Sequence, residues 1–134
     1  MSAEDVWGDI RTLVFDRADP HRAVVAATGE SFYRCKVLRR LVPGPLSAGA
    51  LAERLNTDPP YLSVTLKELE SRRYVVRTED PADRRRRVVE LTDSGRELAD
   101  RANAALNAPP AEFANLSADE LGQLETLMGR LLRS

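Results

Sequence analysis

The sequence predicts a mainly α-helical fold of the α+β class, in which a two-stranded hairpin is the only sheet. Helix caps and helix breakers mark a series of helical stretches, which together take up most of the chain. Two runs of β-favouring residues flank one charged, turn-rich segment, as the strands of a hairpin do. The 134 residues amount to one domain's length, so we treat residues 1–134 as a single domain.

The first two helices are defined by an apolar stripe and by a proline. A helix over residues 3–17 is indicated by apolar residues at helical spacing, namely Val6, Ile10, Leu13 and Val14. Asp19 and Pro20 are typical of an N-cap followed by proline at the first helical position, and Gly29 ends the short helix that they begin.

Three helices follow in the middle of the chain, the last two joined by a tight turn. A helix over residues 31–41 ends at a Pro-Gly-Pro breaker. Ser47 then caps a helix over residues 48–55, and Pro59 begins a further helix that reaches about residue 72.

The turn between the last two of these helices has the features of a helix-turn-helix. Leu51 and Leu55 supply the apolar contact where the helices cross, and Ala52 is the small residue at the crossing. Asn56 tolerates the left-handed backbone that such a turn requires.

The second helix of this pair has one core-facing side and one free side. At 100° per residue, Leu62, Leu66 and Leu69 fall within about 60° of one another, which predicts a buried face. By itself the pattern fits an ordinary solvated helix as well as a DNA-recognition helix. The opposite arc consists of Pro60, Tyr61, Ser63, Val64, Lys67 and Glu68.

A hairpin with a basic tip comes next. Strands are predicted over residues 74–78 and 87–91, separated by a long loop at residues 79–83. Four consecutive arginines, Arg84 to Arg87, follow Asp83 at this tip. Arginine is planar, permanently charged and weakly hydrated, so it suits a narrow minor groove of DNA, and an adjacent carboxylate can orient its guanidinium group.

The charge distribution favours a nucleic-acid partner for this part of the chain. The net charge is −1, but residues 34–90 carry 13 basic and 8 acidic side chains, whereas the two flanking segments are each at −3.

These residues resemble the MarR-type winged-helix transcription regulators. The resemblance is carried by residues 51–55, the helix from Tyr61 to Glu70, residues 75–77, and the Asp-x-Arg of residues 83–85 followed by the Leu-Thr-x-x-Gly of residues 91–95. It implies a homodimer that places a recognition helix in a major groove and a wing in the flanking minor groove of double-stranded DNA. Members usually repress transcription, and many respond to small aromatic ligands or to oxidation.

The resemblance predicts a ligand-responsive repressor of a palindromic operator, with a winged helix-turn-helix at about residues 31–92. Three positions depart from the family pattern: Val64 replaces a polar or basic residue, Thr65 an apolar core residue, and Arg73 a glycine. Arg85 aligns with the signature arginine and is expected in the minor groove, oriented by Asp83. The predicted DNA-binding residues are Ser47, Pro60, Tyr61, Ser63, Val64, Lys67, Arg77, Asp83, Arg84, Arg85 and Arg86.

The ends of the chain are predicted to form the dimer, over about residues 3–28 and 93–133. Thr92 caps a helix to about residue 107, two prolines break it, and a capping box at Ser117 begins a last helix that ends at Leu132. The terminal apolar stripes are wider than a peripheral helix needs. The predicted interface residues are Val6, Ile10, Leu13, Leu121, Leu124, Met128 and Leu131.

Other functions have less support in the sequence. Trp7, Phe15, Phe32 and Tyr33 are candidates to line a cavity for an aromatic effector, with ordinary core packing the more frequent role of such residues. Cys35 is expected to be structural rather than a redox sensor, and the single histidine, His21, has no metal-ligand cluster beside it.

Several classes of protein are not expected. No nucleophile and base, phosphate loop or cofactor motif is present, so we expect neither an enzyme nor a bound cofactor. One cysteine and an acidic N-terminus without a long apolar run predict a cytoplasmic protein that does not enter a membrane. The alternative is a winged-helix module that binds proteins, which the exposed Tyr61 and Val64 would favour.

Overall fold

The computed structural model describes residues 1–133, which form seven α-helices and one antiparallel hairpin. The mainly helical α+β prediction is confirmed. None of these helices is long and apolar enough to cross a lipid bilayer. The elements are α1 (Ala3–Arg11), α2 (Pro20–Thr28), α3 (Phe32–Arg40), α4 (Ala48–Leu55), α5 (Pro59–Ser71), β1 (Val75–Asp80), β2 (Asp83–Leu91), α6 (Asp93–Asn107) and α7 (Ala118–Leu132).

The first predicted helix changes its winding part-way along. After α1, residues Thr12–Ala18 form a π-helix, which ends when the Asp19 N–H donates to the Val14 carbonyl five residues back. Asp19 is left-handed, with φ 44°, and its side chain accepts the Arg22 N–H as the N-cap of α2. The prediction of a cap at Asp19 and an end at Gly29 is therefore confirmed.

The main core lies between α3, α4, α5, the hairpin and the first half of α6, and we call this part the lobe. Leu62, Leu66 and Leu69 of α5 are buried there, which confirms the predicted face. The predicted helix crossing is confirmed as well, since Leu51, Ala52 and Leu55 are buried. A smaller cluster joins α2, α3 and α6 through Val24, Cys35 and Ala102.

The hairpin is longer than the sequence predicts, and its loop is shorter. The strands run to Asp80 and from Asp83, so the eight residues between the predicted strands are reduced to a turn at Pro81 and Ala82. Glu79 faces Arg87, but the next residue, Asp80, faces Asp83. The pairing register therefore shifts after Glu79. Of the described residues, none therefore lies opposite Arg84, Arg85 or Arg86, and these three arginines form a bulge in β2.

The base of the hairpin is fixed to α6. The Tyr74 carbonyl accepts the Thr92 N–H at 3.0 Å, and the Thr92 hydroxyl donates to the Arg73 carbonyl at 2.6 Å. A Cβ atom at Gly95 would lie 2.0 Å from the Tyr74 oxygen, so only glycine allows α6 to start this close to the hairpin.

The terminal segments differ from the lobe because they are not packed. Within the described chain, α1, the π-helix and α7 contain no buried residue. A 3-10 turn at Ala111–Asn115, which the sequence analysis did not predict, leads into α7. The capping box that begins α7 at Ser117 is present as predicted.

Candidate nucleic-acid interface

The helix-turn-helix is built by caps at both ends of α4. The Ser47 hydroxyl accepts the Ala50 N–H at 3.1 Å and begins the helix. Asn56 ends it with φ 50°, in the left-handed region that asparagine tolerates better than most residues. Ser47, a predicted DNA contact, thus has a structural role at the start of the first helix of the pair.

The outer arc of α5 is free of intramolecular commitments at most positions. Tyr61 and Val64 are 55% and 57% exposed, although both side chains are largely apolar. Pro60, Ser63 and Lys67 are exposed as well. Lys67 forms no ion pair with any residue between 1 and 133. The arc predicted to meet bases and phosphates is therefore available to a partner.

Tyr33, a predicted effector-site residue, lies beside this arc. Its hydroxyl is 3.2 Å from the Thr57 hydroxyl, in the turn of the helix-turn-helix. Its ring is tilted against that of Tyr61, with 4.8 Å between the centroids. The ring of Tyr33 thereby limits the orientation of Tyr61. Thr57 lies next to the candidate interface through its contact with Tyr33. The sequence offered no signal for this contact, since the two tyrosines are 28 positions apart.

Asp83 and Arg85 at the wing are paired as the sequence analysis predicts. Asp83 Oδ1 accepts both the backbone N–H of Arg85, at 3.1 Å, and its Nε–H, at 3.3 Å. The Arg85 side chain is nonetheless 91% exposed, and Arg84 and Arg86 are exposed beside it. The carboxylate therefore limits the directions of the Arg85 guanidinium group while leaving it open to solvent.

Arg77 is turned inward, unlike the arginines of the bulge. Its Nε lies 3.5 Å from Glu70 Oε2 of α5, and its carbonyl accepts a hydrogen bond from Arg87 at 3.3 Å. The ion pair with Glu70 gives Arg77 a role in joining the wing to α5. Contact of Arg77 with DNA stays a prediction.

The four aromatic residues predicted to line an effector cavity do not come together. Trp7 and Phe15 are exposed on the first helical segment, and Phe32 stacks on His21 at 3.8 Å between ring centroids. Phe32 and Tyr33 of α3 thus have separate aromatic partners within residues 1–133, and effector binding by the four residues stays a prediction.

An open apolar groove lies between the terminal segments, α2 and α6, and we call it the terminal groove. It measures about 640 Å³, and its lining is apolar except for Glu125. Five of the seven predicted interface residues line it, namely Ile10, Leu13, Leu121, Leu124 and Met128. The other two, Val6 and Leu131, are exposed on the same helices.

Comparison with known proteins identifies the family. The family profile described as "MarR family" matches residues 36–86, which include the helix-turn-helix and the wing arginines. An uncharacterized HTH-type transcriptional regulator of Bacillus subtilis, YdgJ, is 33% identical over 108 residues. That alignment covers 79% of this chain and 66% of YdgJ, so the chain spans slightly less than two thirds of its relative's length. The chain belongs to the MarR family.

Solved structures match the fold of almost the whole chain, and not only of residues 36–86. The YusO protein of B. subtilis superposes with a TM-score of 0.78 at 24% identity, covering 100% of this chain and 99% of YusO. A cysteine-to-serine variant of Escherichia coli MarR, solved in complex with operator DNA, has a TM-score of 0.64 at 24% identity, with 93% and 92% of the two chains covered. The terminal helices thus belong to the fold as well as the lobe.

Cys35 and His21 have packing roles in this MarR-family structure. Cys35 is buried, its sulfur is 3.4 Å from the Thr28 hydroxyl, and burial raises the pKa of the thiol. A raised pKa disfavours the reactive thiolate, so the expectation of a structural cysteine is supported. Residues 1–133 contain no group of three metal-ligating side chains.

Proposed function

We propose that this protein is a DNA-binding transcriptional regulator that acts as a homodimer on a palindromic operator. The observation that carries the proposal is the pairing of Asp83 with an almost fully exposed Arg85, on a wing that follows a helix-turn-helix with a free outer face. Because Arg85 stays exposed, its pairing with the Asp83 carboxylate does not contribute to packing of the core. It suits insertion of the guanidinium group into a minor groove.

The dimer is supported by the terminal groove. Apolar side chains of α1, the π-helix and α7 line it, and the same segments bury none of their residues within one chain. A second copy of the chain would cover these surfaces by a two-fold contact. A two-fold protein in turn requires an operator with two inverted half-sites, about one helical turn or ~10 base pairs apart.

Repression and release by a small aromatic effector complete the proposal. They are the mode of action that the family resemblance implies, and they are tested by adding aromatic acids and phenols to the protein–operator complex. Release of operator DNA by such a compound, without unfolding, is the expected result.

The binding mode is tested by the salt dependence of affinity. Each neutralised phosphate contributes a slope of about −0.9 in a plot of log affinity against log salt. A steep slope with a genomic sequence that co-purifies with the protein is expected for the regulator. A shallow slope, with tighter binding to a protein, would instead favour the protein-interaction module that the exposed Tyr61 and Val64 allow.

Asp83→Ala tests the role of the wing. If the arginines act only as a positive patch, removal of a negative charge should tighten binding to all DNA. If Asp83 orients Arg85, binding should weaken by about threefold to tenfold despite the gain in positive charge, and the preference for A·T-rich flanks should decrease. Arg86→Ala is the control, since it should weaken binding to all sequences alike and reduce the salt slope by about one.

A further inference from the structure

Glu30 is the only charged residue that is buried among residues 1–133. It follows Gly29 at the corner between α2 and α3, and its side chain is 8% exposed. The Thr28 hydroxyl fixes this corner, because it donates to the Val24 carbonyl at 2.7 Å and accepts the Glu30 N–H at 3.1 Å. A buried carboxylate is costly unless it is paired, so its partners need an explanation.

Both partners of Glu30 lead to the candidate recognition helix. One Glu30 oxygen accepts a hydrogen bond from Arg72, which caps the C-terminus of α5. The other lies 3.4 Å from Arg34 Nη1, and Arg34 Nε donates in turn to Glu68 of α5 at 3.1 Å. The hydrogen bond that Arg34 donates to Glu68 and the charges of both carboxylates raise the pKa of Arg34.

The geometry of these contacts is that of a clamp. Glu68 and Arg72 lie four positions apart, one helical turn, so the corner holds α5 at two points along its C-terminal half. The 13 residues of α5 span about 20 Å, and a rotation of about 5° about this end would move the N-terminal turn by about 1.5 Å. A displacement of that size breaks a hydrogen bond to a base edge.

We propose that Glu30, acting through Arg34 and Arg72, is a positioning residue that fixes the orientation of α5 and thereby sets how well the protein discriminates between DNA sequences. The proposal rests on the DNA-binding function proposed above. Pro20 and Ala23 in the first turn of α2 line the terminal groove, and the corner that holds α5 lies at the other end of the same helix.

Glu30→Gln tests the proposal because two explanations predict opposite signs. The probes are a duplex that the wild-type protein selects from a randomised library and a scrambled duplex of the same composition. Removal of a negative charge alone would tighten binding to both. The positioning role predicts that affinity for the selected duplex falls by about tenfold, as when one base pair is mismatched, while affinity for the scrambled duplex does not fall.

Two further variants and one measurement without DNA complete the experiment. Glu97→Gln removes an exposed charge of α6 and should leave the affinity ratio unchanged. Arg34→Lys keeps the charge but loses the fork that joins Glu30 to Glu68, so it should reduce discrimination in the same direction, and it decides the question if Glu30→Gln does not fold. Amide hydrogen exchange should accelerate at residues 66–72, relative to α4 and α6, in the Glu30→Gln and Arg34→Lys proteins but not in the Glu97→Gln protein.

The outcomes are separable. A wild-type protein that selects no sequence would overturn the proposed function, and hydrogen exchange would still decide whether Glu30 positions α5. Reduced discrimination together with faster exchange in α5 supports the positioning role. Unchanged exchange in α5, or unchanged discrimination by the folded variants, overturns it.

Discussion

The lobe and the terminal helices have similar helix caps and apolar spacing, but within one chain only the lobe buries its apolar side chains. In the lobe, leucines of α4, α5 and α6 are completely buried against the hairpin. At the ends of the chain, leucines at the same helical spacing line an open groove or face solvent. The helices are equally well capped in both regions, so capping does not explain the difference.

What differs is where the apolar partner comes from. Each helix of the lobe finds an apolar face on a neighbour in the same chain, whereas α7 has apolar side chains on a face that no other element of residues 1–133 fully covers. Apolar surface of this extent is favourable only when it is removed from water. The lobe is therefore complete within one chain, and we expect the terminal helices to be complete only in the dimer.

The largest effect is expected from a cavity in the lobe. Leu66→Ala should lower the free energy of unfolding by about 2–5 kcal/mol, because Leu66 is wholly buried and its neighbours are fixed. Urea denaturation monitored by circular dichroism measures the loss. Val64→Ala on the exposed side of the same helix is the control and should change stability by less than about 0.5 kcal/mol. Equal losses would contradict the assignment of the two faces.

A charge in the terminal groove should separate the two regions. Leu124→Arg is expected to give a monomer with a folded lobe, and to weaken operator binding by roughly a hundredfold because the two half-sites are no longer bound together. Light scattering gives the mass, and hydrogen exchange in α5 reports on the lobe. Leu132→Arg, at the exposed end of α7 and outside the groove lining, should remain dimeric. A dimeric Leu124→Arg protein would disprove this interface.

A smaller effect is expected on the outer face of the lobe. Lys67→Ala should weaken DNA binding by about threefold to tenfold and reduce the salt slope by about one, with the melting temperature unchanged. Fluorescence anisotropy at several salt concentrations measures both quantities. Arg101→Ala, an exposed position of α6, should have little effect on either. A lowered melting temperature would mean that Lys67 supports the fold.

The smallest effect concerns strain within the lobe. Arg73 has φ 62°, the left-handed region in which glycine is favoured, and this explains why glycine is common before the first wing strand in the family. Arg73→Gly should stabilise the protein by about 0.5 kcal/mol, since the relief of strain exceeds the added entropy of the unfolded chain. Arg96→Gly inside α6 should instead destabilise it by about 1 kcal/mol. The melting temperatures of the two variants, measured by thermal unfolding, should therefore shift in opposite directions.

Local signals in the sequence account for most of the fold. Caps at Ser47, Thr92 and Ser117 and the proline at position 20 begin helices where the sequence analysis predicts them. Each of these signals acts within three or four residues, so it can be recognised without knowledge of the tertiary structure. The Asp83–Arg85 contact is local in the same way, since its partners are two positions apart.

Contacts between distant residues could not be predicted. The pairing of Leu46 with Val89 extends the hairpin by a backbone bridge that no side-chain pattern specifies. Glu30 and Arg72 are 42 positions apart, and nothing in the sequence near Glu30 distinguishes it from an exposed glutamate. The aromatic residues were grouped by type alone, and their actual neighbours depend on how α3 packs.

The wing is fixed at its base and irregularly paired near its tip. Hydrogen bonds from Thr92 and the contact at Gly95 hold its base, while the bulge at Arg84–Arg86 leaves its tip outside the regular ladder. We expect the thermal displacement of the wing to be largest at this tip. We expect most of the entropy lost on binding a groove to come from these arginines, and grooves of different width to be fitted without moving the rest of the protein.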